Sequence, residues 1–137
     1  MFWDTNLFVY LFEENGSLTK AVAELRSKMI QRGDQLLTST LALGEVLVKP
    51  IERNNHDLYR QYEQVICTQA TVVPFDLKAA RIFATLRAQG SFTAPDAIHL
   101  ACAASANVDL FVTNDTKLLG KRVEGIQFIV SIWRVPI

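Results

Sequence analysis

Apolar positions along this chain fall into two patterns. Short continuous runs occur at Phe2-Trp3, Leu36-Leu37-Thr38, Val72-Val73, Leu110-Phe-Val112 and Phe128-Ile-Val-Ser-Ile132. Longer segments between them carry helical spacing: Leu18, Val22, Leu25 and Met29 within 18–31, and Leu77, Ala80, Ala84 and Arg87 within 77–88. Residues 95–106 are rich in alanine, a strong helix former. Runs without in–out alternation suit strands whose two faces are both covered by helices. Asn15-Gly16, Arg32-Gly33, Gly90-Ser91 and Gly120 break the helices. The alternation predicts an α/β fold, a three-layer α/β/α sandwich around a mostly parallel five-stranded sheet. The stretch from Lys49 to Tyr62, with Pro50 and Asn54-Asn55, is the most polar and reads as a loop and an exposed helix. No repeat, low-complexity tract or linker interrupts the pattern, so residues 1–137 read as one domain with a single core.

Composition changes this picture little. Half of the residues are hydrophobic and a fifth are charged, which is too apolar for a disordered chain. The 14 basic and 14 acidic residues cancel, which argues against a uniformly basic nucleic-acid coat but leaves room for a local basic patch. Cys67 and Cys102 lie in helical patterns without metal-ligand spacing, so they read as reduced apolar side chains in a reducing cytoplasm. The apolar opening carries Asp4, lacks a basic leader and stops at Glu13-Glu14, which fits neither a signal peptide nor a membrane span.

The informative residues are four acids set where apolar runs end or helices begin. They are Asp4 in Met1-Phe-Trp-Asp-Thr-Asn6, Glu45 in Leu41-Ala-Leu-Gly-Glu-Val-Leu47, Asp96 in Ala94-Pro-Asp-Ala-Ile-His-Leu100, and Asp115 in Phe111-Val-Thr-Asn-Asp115. Ligands of open parallel sheets bind beyond the carboxyl ends of the strands, where strand order reverses. All four acids are positioned to face such a crevice. Gathered carboxylates repel unless something positive sits among them. Oxygen ligands without thiolate or imidazole suit Mg2+ or Mn2+.

Each residue also has an ordinary role. Asp4 would cap the following helix, Asp96 would favour a helix dipole after Pro95, and Asp115 would sit in a turn. Glu45 lies in an apolar helical stretch, where an unpaired buried carboxylate is costly; it needs a partner, a metal or a solvated stripe. His99 shares a helix face with Asp96, and His56 reads as solvated. Asn6 and Thr113 stand out among the hydroxyl and amide residues, with Ser39 and Thr40, that would donate hydrogen bonds around the acids. No phosphate-binding glycine loop, dinucleotide fingerprint, nucleophile elbow or zinc signature is present.

Taken in order, these motifs resemble those of the PIN-domain nucleases, most closely the small toxins of bacterial VapBC-type toxin–antitoxin pairs. Asp4-Thr-Asn6 before Leu7-Phe-Val-Tyr-Leu11 is similar to the first acidic motif, and Ser39-Thr-Leu-Ala-Leu-Gly-Glu45-Val to the second. Pro95-Asp96-Ala-Ile-His-Leu-Ala-Cys-Ala-Ala104 is similar to the third, and Leu110-Phe-Val-Thr-Asn-Asp115 to the fourth. After the fourth, where relatives often carry an aromatic or aspartate, the chain reads Thr116-Lys-Leu-Leu119.

The resemblance implies a metal-dependent endoribonuclease leaving a 5′-phosphate and a 3′-hydroxyl. Asp4, Asp96 and Asp115 would bind the metal, with Glu45 as a further ligand or water orienter, and Asn6 and Thr113 would position carboxylates or phosphate. Lys117, Lys121 and Arg122, the cations that follow Asp115 in sequence, would steer RNA. It also implies a small antitoxin partner. The apolar end from Phe128 to Ile137, with Trp133, needs covering and points to a homodimer, an antitoxin contact or both. A housekeeping nuclease, a non-cleaving RNA- or protein-binding scaffold, and a phosphohydrolase of small esters are the rival readings.

Overall fold

The computed structural model describes all 137 residues. Strand β1 (Phe2–Trp3) leads into α1 (Thr5–Phe12) and α2 (Ser17–Arg32). Strand β2 (Leu37–Ser39) is followed by α3 (Thr40–Glu52) and α4 (His56–Gln69), then β3 (Thr71–Val73) by α5 (Leu77–Ala88) and α6 (Ala94–Ser105). Strands β4 (Leu110–Thr113) and β5 (Phe128–Ser131) and a 3-10 turn (Ile132–Arg134) complete the chain. The sheet has the order β3-β2-β1-β4-β5, and every pairing is parallel. The predicted class holds: a five-stranded parallel sheet between helical layers.

The continuous apolar runs have the predicted cause. Phe2 and Phe111 pair across β1 and β4, stack with centroids 5.2 Å apart, and belong to a core shared with α5 and α6. Their strand neighbours Trp3 and Val112 point the other way, into a second core with α1, α2, α3 and α4. Alternate residues thus feed opposite cores, and neither can be polar.

One element departs from expectation. Lys49 to Glu52 continue α3 as helix through Pro50. Proline in a helix interior removes a hydrogen bond and crowds the preceding turn. Here it falls in the last turn, is itself buried, and its carbonyl accepts from the Asn55 amide at 2.9 Å. The loop shrinks to Arg53–Asn55, and Asn55 caps α4.

From β1 the chain steps outward to β2 and β3, then returns to place β4 on the other side of β1. This reversal opens a crevice beyond the carboxyl ends of β1 and β4. Asp4 follows β1 directly, its amide still bonded to the Val112 carbonyl at 3.0 Å, and Thr113 ends β4 beside it. No helix is long and apolar enough to cross a membrane.

Candidate active site

A cleft of about 420 Å³ lies at this edge, and Asp4, Glu45, Asp96 and Asp115 all line it. The four come from different segments: the end of β1, the second turn of α3, the first turn of α6 and the turn after β4. Thr5, Asn6, Val9, Tyr10, Pro95 and His99 complete the wall.

Asp4 is the deepest acid, 6% exposed. Its Oδ1 accepts from the Thr5 amide at 2.8 Å, which makes it the cap of α1, and its Oδ2 accepts from the Thr113 hydroxyl at 2.7 Å. The capping role and a place in the cleft therefore coexist. Burial pushes the Asp4 carboxyl above its ordinary range; His99 and the bonds from Thr113 and Thr5 counter this in part, while Asp96 adds to it.

Thr113 is fully buried, and its one hydroxyl holds three parts of the site together. It donates to Asp4 and accepts from the Asp115 amide at 3.0 Å. It also lies 3.5 Å from Asn6 Nδ2, while Asn6 Oδ1 accepts from the Asn114 amide at 3.3 Å. The two residues singled out from sequence thus join the β1 and β4 motifs. Asn114 also donates to the Tyr10 hydroxyl at 2.9 Å.

Glu45 is on the solvated stripe of α3, with its side chain 40% exposed, and still finds partners. Its Oε1 lies 2.8 Å from His99 Nε2 and accepts from the Thr5 hydroxyl at 2.7 Å. The bond from His99, ahead of that from Thr5, holds the Glu45 carboxyl below its ordinary range despite partial burial. His99 is 3% exposed and its Nδ1 lies 2.8 Å from Ser39 Oγ. Asp96 and Asp115 are half-buried at the mouth; Asp115 Oδ1 accepts from the Lys117 amide at 3.0 Å.

None of the three expected cations lines the cleft. Lys117 is exposed just after Asp115, and Lys121 and Arg122 line a separate hollow with Val123, Gln127 and Phe128 along the edge strand. Sequence patterning singles out neither Thr5 nor Tyr10 for the site. A signal for His99 existed: it stands in a wholly buried alanine-rich stretch of α6, where a polar ring must find partners.

The donors suit a hard divalent cation, being carboxylate oxygens around one cleft, the deepest of them that of Asp4. In this conformation no three His, Cys, Asp or Glu side chains are grouped closely enough to hold a metal ion. Asp4 and Glu45 meet through His99 and Thr5, while Asp96 and Asp115 stand apart at the mouth.

An acid-lined crevice at the switch point of a small parallel sheet defines a class, and the family model for the PIN domain matches residues 1–123. The chain belongs to the PIN-domain family. Its fold is similar to that of VapBC2 from Rickettsia felis bound to a promoter DNA fragment, at TM-score 0.71 and 16% identity over 95% of this chain and 96% of that one. A toxin–antitoxin complex from Klebsiella pneumoniae matches at TM-score 0.66 and 19% identity, covering 94% and 98%. VapBC-5 from Mycobacterium tuberculosis matches at TM-score 0.59 and 20% identity, covering 93% and 95%. No curated protein matches the sequence.

Proposed function

We propose that the protein is a Mg2+- or Mn2+-dependent endoribonuclease, the toxin of a type II toxin–antitoxin pair acting in the cytoplasm. The observation that carries this reading is the convergence of Asp4, Glu45, Asp96 and Asp115 on one cleft in a PIN-domain chain. The toxin–antitoxin identity of the similar structures supports the second half of it.

Asp4, Asp96 and Asp115 would hold the cation, with Glu45 able to join them. A bound divalent ion supplies electrophilic assistance to a phosphodiester and makes an attacking water more acidic. The chain's own residues do the rest. Thr113 and the Thr5 amide fix both oxygens of Asp4, so that carboxylate is oriented before any ligand arrives. Glu45 is anchored through Oε1, and Oε2 stays free to orient water or accept its proton. Tyr10, held by Asn114, offers an aromatic wall against which a base would rest. Lys117, exposed beside Asp115, would meet the phosphate backbone; Lys121 and Arg122 would contact RNA only beyond the cleft.

Partners would be an RNA, a small antitoxin and a second copy of the chain. Phe128 and Trp133 stay 65% and 60% exposed, whereas Ile132 is buried and Val135 and Ile137 pack on the core. Part of the apolar end is therefore covered by the chain itself, and the rest is left for a partner.

The deciding assay is cleavage of single-stranded RNA, against a panel of nucleotide esters, with each metal and with excess chelator. RNA cleavage that needs Mg2+ or Mn2+ and is lost in Asp4→Asn is expected. Cleavage undiminished in chelator would sink the metal mechanism, and turnover of small esters alone would favour a phosphohydrolase. Expression without a partner should halt growth, and Asp4→Asn should relieve it; equal growth of the two would point to a housekeeping nuclease.

A further inference from the structure

We infer that His99 is a positioning residue for Glu45, clamped so that Glu45 meets substrate through one carboxylate oxygen only. The inference rests on the nuclease reading above. It starts from hydrogen-bond accounting at three side chains. Ser39 caps α3, its Oγ accepting from the Ala42 amide at 3.0 Å. Its own proton is then free for His99 Nδ1, 2.8 Å away. With Nδ1 accepting, the ring proton sits on Nε2 and is donated to Glu45 Oε1 at 2.8 Å.

The ring thus spans one helix from its cap to its second turn, tying α6 to α3 at both points. At 3% exposure the ring is held by packing around these two bonds, with the Thr5 hydroxyl a further 3.3 Å from Nε2. Thr5 adds a second donor to the same oxygen, at 2.7 Å. Oε1 therefore takes two donors, while Oε2 takes none from the protein and Glu45 is open to the cleft. A carboxylate on a long side chain samples several rotamers when free, and fixing one oxygen selects among them. His99 itself touches neither reacting atom in this scheme; it acts through Glu45.

Two substitutions separate positioning from packing. Glutamine can reach the place of Nε2 and still donate to Glu45; asparagine can reach only the place of Nδ1, toward Ser39. Both remove the ring, so a purely structural role predicts that they fall together. Positioning predicts that His99→Asn lowers kcat by about 10- to 100-fold, the usual cost of losing an outer partner of a site residue, with little change in KM. His99→Gln should recover most of that loss. In a Glu45→Ala background, His99→Asn should cost no further activity. Wild type, His99→Asn, Glu45→Ala and the double variant melted in denaturant with chelator should show non-additive midpoints, a readout independent of cleavage. Equal losses in His99→Asn and His99→Gln, or additive effects with Glu45→Ala in both assays, would overturn the clamp. A wild type that cleaves no RNA with either metal would instead sink the nuclease reading on which the positioning role rests.

Discussion

Replacing Thr113 by valine tests how the site is held together. The two side chains have nearly the same shape, so the substitution removes a hydroxyl and leaves little else changed. That hydroxyl donates to the buried Asp4 carboxylate at 2.7 Å and accepts from the Asp115 amide at 3.0 Å. A hydrogen bond to a charged group contributes about 1.5–3 kcal/mol, and the lost acceptor for the amide adds roughly 1 kcal/mol. The contact with Asn6 is at the limit of bonding, 3.5 Å, and counts for nothing. Burying a methyl in place of the hydroxyl returns about 1 kcal/mol. The net loss is therefore about 1.5–3 kcal/mol in metal-free protein. Urea melts in chelator should show it as a midpoint roughly 1 M lower, given slopes of about 1–3 kcal/mol per molar. Thr113→Ser keeps the hydroxyl and should recover much of the loss.

The same substitution has a pH signature. Burial already raises the Asp4 carboxyl above its ordinary value in the folded state. The Thr113 bond favours the charged form, so removing it raises the folded value further. A carboxyl whose folded pKa exceeds its unfolded one loses stability as pH rises between the two. The variant has the wider window, so its deficit is largest above the folded values of both proteins and shrinks as pH falls through them toward the ordinary aspartate range. A loss under about 0.5 kcal/mol, less than one ordinary hydrogen bond, would refute the reasoning. So would a deficit that stays constant or grows on acidification.

Two further predictions concern the scaffold. Gly125 has φ +95°, and a Cβ there would lie 2.7 Å from the Ala104 carbonyl oxygen, so Gly125→Ala should cost about 2–4 kcal/mol in a melt; a variant as stable as wild type would show that the turn packs against α6 more loosely. Burial pushes the Cys102 thiol up to about 11, while Cys67 is exposed, so a thiol reagent near neutral pH should titrate one group in native protein and two in denaturant; rapid reaction of both in native protein would contradict this.

The fold was legible because its strands are buried on both faces, which forces uninterrupted apolar runs at Phe2-Trp3 and Leu110-Phe-Val112. Convergence of the four acids was legible for a related reason. In an all-parallel sheet, strand ends and the starts of following helices share one edge, so residues at such breaks meet whatever their separation in sequence. What spacing could not carry is the partner of each acid. The donors to Glu45 come from residue 5 and residue 99, and nothing local at residue 45 announces either. Proximity in sequence to Asp115 does not amount to a place in the cleft, because after Asp115 the chain leaves the carboxyl edge and runs back to begin β5. Lys121 and Arg122 go with it. Pro50 read as a break because a proline amide cannot donate to the carbonyl four residues back; α3 goes without that bond and ends at Glu52, within a turn of the proline.

Capping and site-building are therefore one arrangement in this fold. A residue at the carboxyl end of a parallel strand is also the cap of the helix that follows, as Asp4 is for α1 and Ser39 for α3. Such a side chain must accept from the first amides of its helix, which fixes its rotamer. Asp4 spends one oxygen on that cap and the other on Thr113, and Ser39 spends its oxygen on the cap and its proton on His99. The ordinary capping reading and the site reading therefore do not compete at these positions. The cap supplies the rigidity that a preorganised site requires, and the crevice supplies the opening. Substitutions here should consequently move stability and activity together.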